Sequence, residues 1–142
     1  MATFTKFQPF VEKLAEKTFN LQSDTIRIAL TNTAPVNTQS VFDSGTNHPP
    51  PASANGYTAG GNTLTVSSSA QSSGTYKMVV ADSVFTASGG NLGPFRYVVI
   101  YDDTAAGDEL IGYFDYGSSI TLASGETFTF DADATAGLLT IQ

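Results

Sequence analysis

Apolar and polar residues alternate with a period of two through most of this chain. A helical period is legible in one place, near the start. In "KFQPFVEKLAEKTFNL", Phe7, Phe10, Val11 and Leu14 recur at helical spacing, which predicts a helix over about 8–20. Pro9 suits a first turn, where its missing N–H costs little, and Asn20 suits the helix end. Glu12/Glu16 and Lys13/Lys17 place like charges on an exposed face. Such a helix either packs on its own domain or docks on a partner. After it the strand pattern takes over. "DTIRIALTN" sets Ile26, Ile28 and Leu30 on one side and Thr25, Arg27 and Thr31 on the other, the signature of a half-buried strand. "NTLTVSS" turns Leu64 and Val66 inward, and "GTYKMVVA" aligns Tyr76, Met78 and Val80. "DSVFTA" offers Val84 and Phe85, "ETFTFDAD" pairs Phe128 with Phe130, and "GLLTIQ" follows last. "PFRYVVIYD" is apolar on both faces and reads as the central strand of its sheet, with "ELIGYFDYG" after a polar turn.

Turn signals such as "SSG", "SGGNLGP", "DTAAGD", "GSS" and "ASGE" separate these runs at short intervals. The predicted fold class is all-β: an antiparallel β-sandwich of about eight or nine strands over 24–142, with one short N-terminal helix. The 142 residues suit a single domain, 1–142. One stretch, 33–56, breaks the rhythm. "TAPVNTQSVFDSGTNHPPPASANG" has little periodicity, and its proline run favours extended backbone. It is either a loose surface loop or an arm that orders against a neighbouring subunit. In the second case Val41 and Phe42, its adjacent bulky apolar pair, are the expected anchor. His48, Pro49, Pro50, Pro51 and Tyr57 are then the further contact candidates.

Composition narrows the function classes. The charged fraction is 13%, against about 25% in a typical soluble domain, with Ser, Thr, Asn and Gly in place of charge. Extracellular β-sandwiches and virus coat proteins often look like this. A net charge of −7 disfavours nucleic acid and anionic membrane surfaces as partners, since both are held by Lys and Arg. No apolar run approaches the ~20 residues that span a bilayer, and an ordinary secretion signal is not expected. With no cysteine, disulfides and thiolate zinc sites are excluded.

Candidate chemistry is sparse. The one histidine, His48, lies beside three prolines and has neither a second histidine for a metal nor a G-x-S-x-G elbow for nucleophilic catalysis. "DDTAAGDE" lacks the spacing of a calcium loop and reads as a solvated hairpin turn. Asp115, among aromatics in "GYFDYG", either carries a raised pKa or pairs with a base such as Arg96. Tyr97, Tyr101, Tyr113 and Tyr116 fall on two strands that a hairpin would pair, either as a sugar-stacking strip or as sheet packing. "NGYTAGGN" has three glycines, but neither a Lys-Ser/Thr nor a helix follows, so it is no phosphate loop. Gly56, Gly60 and Gly61 are expected to act as a hinge that returns the arm to the sandwich. No catalytic residue, metal or cofactor is expected, and the chain is not read as an enzyme.

The segments "SDTIRIALTNTAP", "GYTAGG", "FRYVVIYDDTA" and "DYGSSITLASGETFTF", taken together, resemble a family of small virion proteins of tailed bacteriophages, the capsid cement or decoration proteins. The resemblance spans nearly the whole chain, apart from "VNTQSVFDSGTNHPPPAS". It implies a sandwich of jelly-roll type, synthesis in the host cytoplasm, and a place on the outer capsid surface of the virion. It also implies the major capsid protein as partner and a homo-oligomer, with a dimer favoured over a trimer. The expected function is therefore to stabilise the shell by bridging neighbouring capsid subunits. The alternative is a receptor- or glycan-binding module of a phage fibre or tail.

Overall fold

The computed structural model describes residues 2–142. One helix and eleven strands are found among them: β1 (Phe4–Lys6), α1 (Gln8–Ala15), β2 (Ile26–Thr31), β3 (Ser53–Ala54), β4 (Asn62–Thr63), β5 (Val66–Ser72), β6 (Thr75–Val80), β7 (Ser83–Thr86), β8 (Leu92–Asp102), β9 (Glu109–Leu122), β10 (Thr127–Phe130) and β11 (Leu139–Ile141). The main sheet runs β1-β9-β8-β2-β4, with β3 added on β8. The opposing layer is split into β11-β6-β5 and β10-β7, and every pairing is antiparallel. The expected all-β sandwich with one short helix is what the chain forms. The strands beyond nine are pieces of two or three residues. The split second layer does not by itself spell out a jelly-roll winding.

The central position of "PFRYVVIYD" holds: β8 lies between β9 and β2. Ile26, Ile28, Leu30, Val98 and Ile111 of the main sheet meet Met78, Val80, Phe85, Phe130 and Leu139 of the other layer in the principal core. Val84, on the opposite side of its strand from Phe85, stays exposed. β2 departs from the half-buried reading. Ala29 and Thr31, on its second side, are buried as deeply as the isoleucines. A second, smaller core covers that side, built from Phe7, Ala29, Val99, Tyr101 and Leu110.

The helix is shorter than its apolar pattern. It ends at Ala15 rather than Asn20, because Lys17 turns left-handed at φ 66°. The Lys17 N–H then donates to Leu14 O (3.3 Å) and the Thr18 N–H to Lys13 O (2.9 Å), a Schellman closure with Lys where Gly is usual. Phe7 precedes the first turn and enters the small core, while Phe10 enters the principal one. The segment thus seals both cores at one edge of the sheet. Val11, expected inside, is 51% exposed. Lys13, expected in solvent, forms an ion pair with the buried Glu109 of β9.

Candidate functional site

The candidate contact residues gather on the back of the main sheet, where residues 33–56 are strapped down. The Gln8 N–H donates to Asn37 O (2.9 Å), and the Tyr113 hydroxyl donates to Asn37 Oδ1 (3.0 Å). Further on, the Leu110 N–H donates to Ser40 O (2.9 Å) and the Phe42 N–H to Asp108 O (2.7 Å), giving an isolated bridge between Val41 and Glu109. These bonds carry Phe42 over Tyr101, ring on ring, with centroids 4.1 Å apart and planes 1° from parallel. His48 stacks on Phe42 at 5.4 Å and meets Phe7 edge-on at 6.3 Å. Pro51 is also buried, and Ser53–Ala54 then pairs with β8.

Asp43 shapes the turn that presents His48. Its Oδ1 accepts the N–H of Gly45 (2.9 Å) and Thr46 (3.2 Å), and its backbone carbonyl accepts the His48 N–H (2.7 Å). His48 Nδ1 accepts the Asp43 N–H at 3.2 Å, which leaves the proton of the neutral ring on Nε2. That arrangement is the reverse of a catalytic histidine, whose Nδ1–H donates to a carboxylate. Burial pushes the His48 pKa below its usual 6.5, against the opposing pull of Asp43, and Nε2 has no hydrogen-bond partner among the described residues.

"NGYTAGGN" closes the other side, and Gly56, Gly60 and Gly61 all take positive φ where the strap turns back into the sandwich. Gly56 has φ +83°, and a Cβ there would sit 2.3 Å from Thr86 O. At Gly61, φ +81°, a Cβ would sit 1.8 Å from Ile28 O. Only glycine admits that approach. The Tyr101 hydroxyl donates to Gly60 O (2.7 Å), and Arg27 Nη2 donates to Gly61 O (2.7 Å). Burial pushes the Tyr101 hydroxyl up to about 12, so this clasp keeps its proton through the ordinary pH range. The Leu30 N–H donates to the Tyr57 hydroxyl (3.1 Å).

Five expected residues, Phe42, His48, Pro50, Tyr57 and Gly60, line one small cavity of about 120 Å³. Pro49 is half-buried beside them. Of the pair expected as anchor, Phe42 packs on its own chain and Val41 stays exposed. Among the apolar residues that the strap leaves outside are Val36 (55% exposed), Val41 (39%) and Pro50. The tyrosine strip is likewise divided. Tyr101 is buried, Tyr113 is held by Asn37 and meets Tyr97 edge-on at 6.4 Å, and Tyr116 lies apart, edge-on to Phe128. Asp115 takes both guanidinium bonds of Arg96 (2.7 and 2.8 Å), which hold its pKa below the usual value. The sequence-based reading missed Tyr101 as the floor of the stack. It also missed Asp102, which is wholly buried beside Asp24 and caps the "DDTAAGDE" turn by accepting the N–H of Thr104 (2.8 Å) and Ala105 (3.1 Å). No group of three or more metal-binding side chains occurs among the described residues, and no helix among them is long and apolar enough to cross a membrane. No family model matches the chain, and neither a curated protein nor a solved structure matches it.

Proposed function

We propose that this chain is a structural virion protein that binds the outside of a tailed-phage capsid. There it bridges neighbouring major capsid protein subunits and stabilises the shell. The observation that carries the reading is where the family-like phrases sit. Arg27, in "SDTIRIALTNTAP", and Tyr101, in "FRYVVIYDDTA", hold the two glycine carbonyls of "GYTAGG". Three of the four phrases are thus joined by hydrogen bonds at one place in the fold. A low-charge sandwich with its long loop strapped down suits a rigid clamp between subunits. Such a ligand stabilises the assembled state because it binds that state alone. The glycan-binding alternative needs neighbouring exposed tyrosines, and Tyr116 is the one large exposed aromatic among the described residues.

On this reading the exposed rim of the strap makes the shell contact. Val36→Ser with Val41→Ser lowers occupancy on undecorated shells while the melting temperature stays unchanged. Electron-microscopy reconstructions of mixed particles, beside thermal melts of the free protein, check this. Wild-type occupancy of the double variant removes the rim from the contact, and failure of the wild type to bind shells removes the function. Glycan-array binding without shell binding would select the alternative.

A further inference from the structure

The sandwich has several unpaired strand edges, and one is unlike the rest. β1, β3, β4, β7, β10 and β11 present edges of two to four residues, short enough to resist pairing with another chain, and the outer edge of β9 left bare beyond β1, from Asp115 on, begins with a charge and lies where register shifts break its pairing with β8. β5 presents seven, Val66–Ser72, and pairs only with β6. Its sequence, "VSSSAQS", holds no charge and no proline, the usual protections of a free edge. A bulge at Val66/Ser68 spares the five residues after it, which run in regular register to Ser72. Ser73 (φ 51°) and Gly74 (φ 84°) form the two-residue turn that leads into β6, both with positive φ as a type I′ hairpin requires. The closing pair Ser72–Thr75 is then hydrogen-bonded within the hairpin, and alternation turns the N–H and C=O of Gln71 and Ser69 outward. No backbone partner meets them among the described residues.

We infer that β5 is the site of a two-fold contact with a second copy of this chain. The β5 strands pair antiparallel and join the two three-stranded layers into one six-stranded sheet. Three features favour a second copy over another occupant. Antiparallel pairing of one strand with itself is inherently two-fold, the symmetry of the commonest oligomers. Two molecules of charge −7 repel least away from their acids, and β5 itself carries none; the charged groups beside it are Lys77, opposite Ala70, and Lys17 with Asp24 near Ser69 and Gln71. The side chains along the strand are Ser, Ala and Gln, small or neutral enough for close cross-strand approach. The inference stands apart from the shell-binding reading, since it concerns the free protein.

Sedimentation velocity across the micromolar range tests it on the full chain. The wild type is expected to shift from monomer to dimer with concentration, and more strongly in high salt, which screens the mutual repulsion of two acidic copies. Ala70→Glu puts like charges across the two-fold axis, and Gln71→Pro removes an outward donor. Ala70 and Gln71 are exposed, and each change is expected to weaken the dimer about tenfold or more with the melting temperature kept. Hydrogen exchange of the Ser69 and Gln71 amides is expected to slow as concentration rises. A wild type that stays monomeric, forms a trimer, or dimerises as well with both substitutions in place overturns the proposal.

Discussion

Stacked on Tyr101 and His48, Phe42 packs the strap onto the main sheet. It is half-buried, and removing its ring opens space beside Tyr101 that backbone bonds on either side keep from collapsing. Phe42→Ala is therefore expected to lower folding stability by about 2–3 kcal/mol, somewhat below the cost of deleting a fully buried phenyl group. Chemical denaturation measures this, and unchanged stability would show that the stack contributes nothing. The residue type was legible in the sequence, because an adjacent valine and phenylalanine in a polar loop must touch something. The partner was not. Tyr101 lies far along the chain in a strand whose apolar residues are continuous, so periodicity gave no sign of which side needed a cover. Gly56 and Gly61 were legible as bends. Their close approaches to Thr86 and Ile28 depend on strands that only the folded sheet brings near.

The hairpin between β8 and β9 and the turn before β2 meet through two carboxyl groups. Burial pushes the Asp102 pKa up from 3.8 to about 6; the Thr104 and Ala105 N–H groups oppose this, and the neighbouring Asp24 carboxyl adds to it. A folded pKa above the ordinary value means that protonation favours the fold. This stabilisation is fully present below 3.8 and is lost as pH rises through about 6. Asp102→Asn keeps an oxygen for the two backbone N–H groups and turns a neutral amide toward Asp24. The variant is expected to exceed the wild type by about 1–3 kcal/mol above neutral pH, with the advantage fading on acidification. His48 contributes the opposite slope, because its lowered pKa costs stability as pH falls below 6.5. Both proteins carry that histidine, so their difference isolates Asp102. Equal stability of the two at every pH would mean that the buried acid is not strained. The "DDTAAGDE" turn was readable as a hairpin. The depth of its first acid was not, since exposed and buried aspartates cap turns with the same letters. For the same reason Lys13 read as a surface charge, although its partner Glu109 is buried across the sheet edge.

Across the whole molecule, the strand periods yielded the architecture: a central β8, inward Met78 and Val80, and Phe128 with Phe130 on one side of β10. They did not yield the second core, because its cover comes from a segment without periodicity. That core covers part of the back of the main sheet with the chain's own strap. The strap's tip has a further consequence, for cleavage. The bonds of Asp43 to Gly45 and Thr46 and of His48 to Asp43 are internal to the turn, and Ser44–Thr46 are exposed. A protease that cuts there separates β1, α1 and β2 covalently from all the other strands. Yet β1 pairs only with β9, and β2 lies between β8 and β4, so each piece holds the other's missing neighbours. The nicked protein should run as one particle in native gel filtration and as two bands after denaturation, and the two halves made as separate chains should find each other and refold.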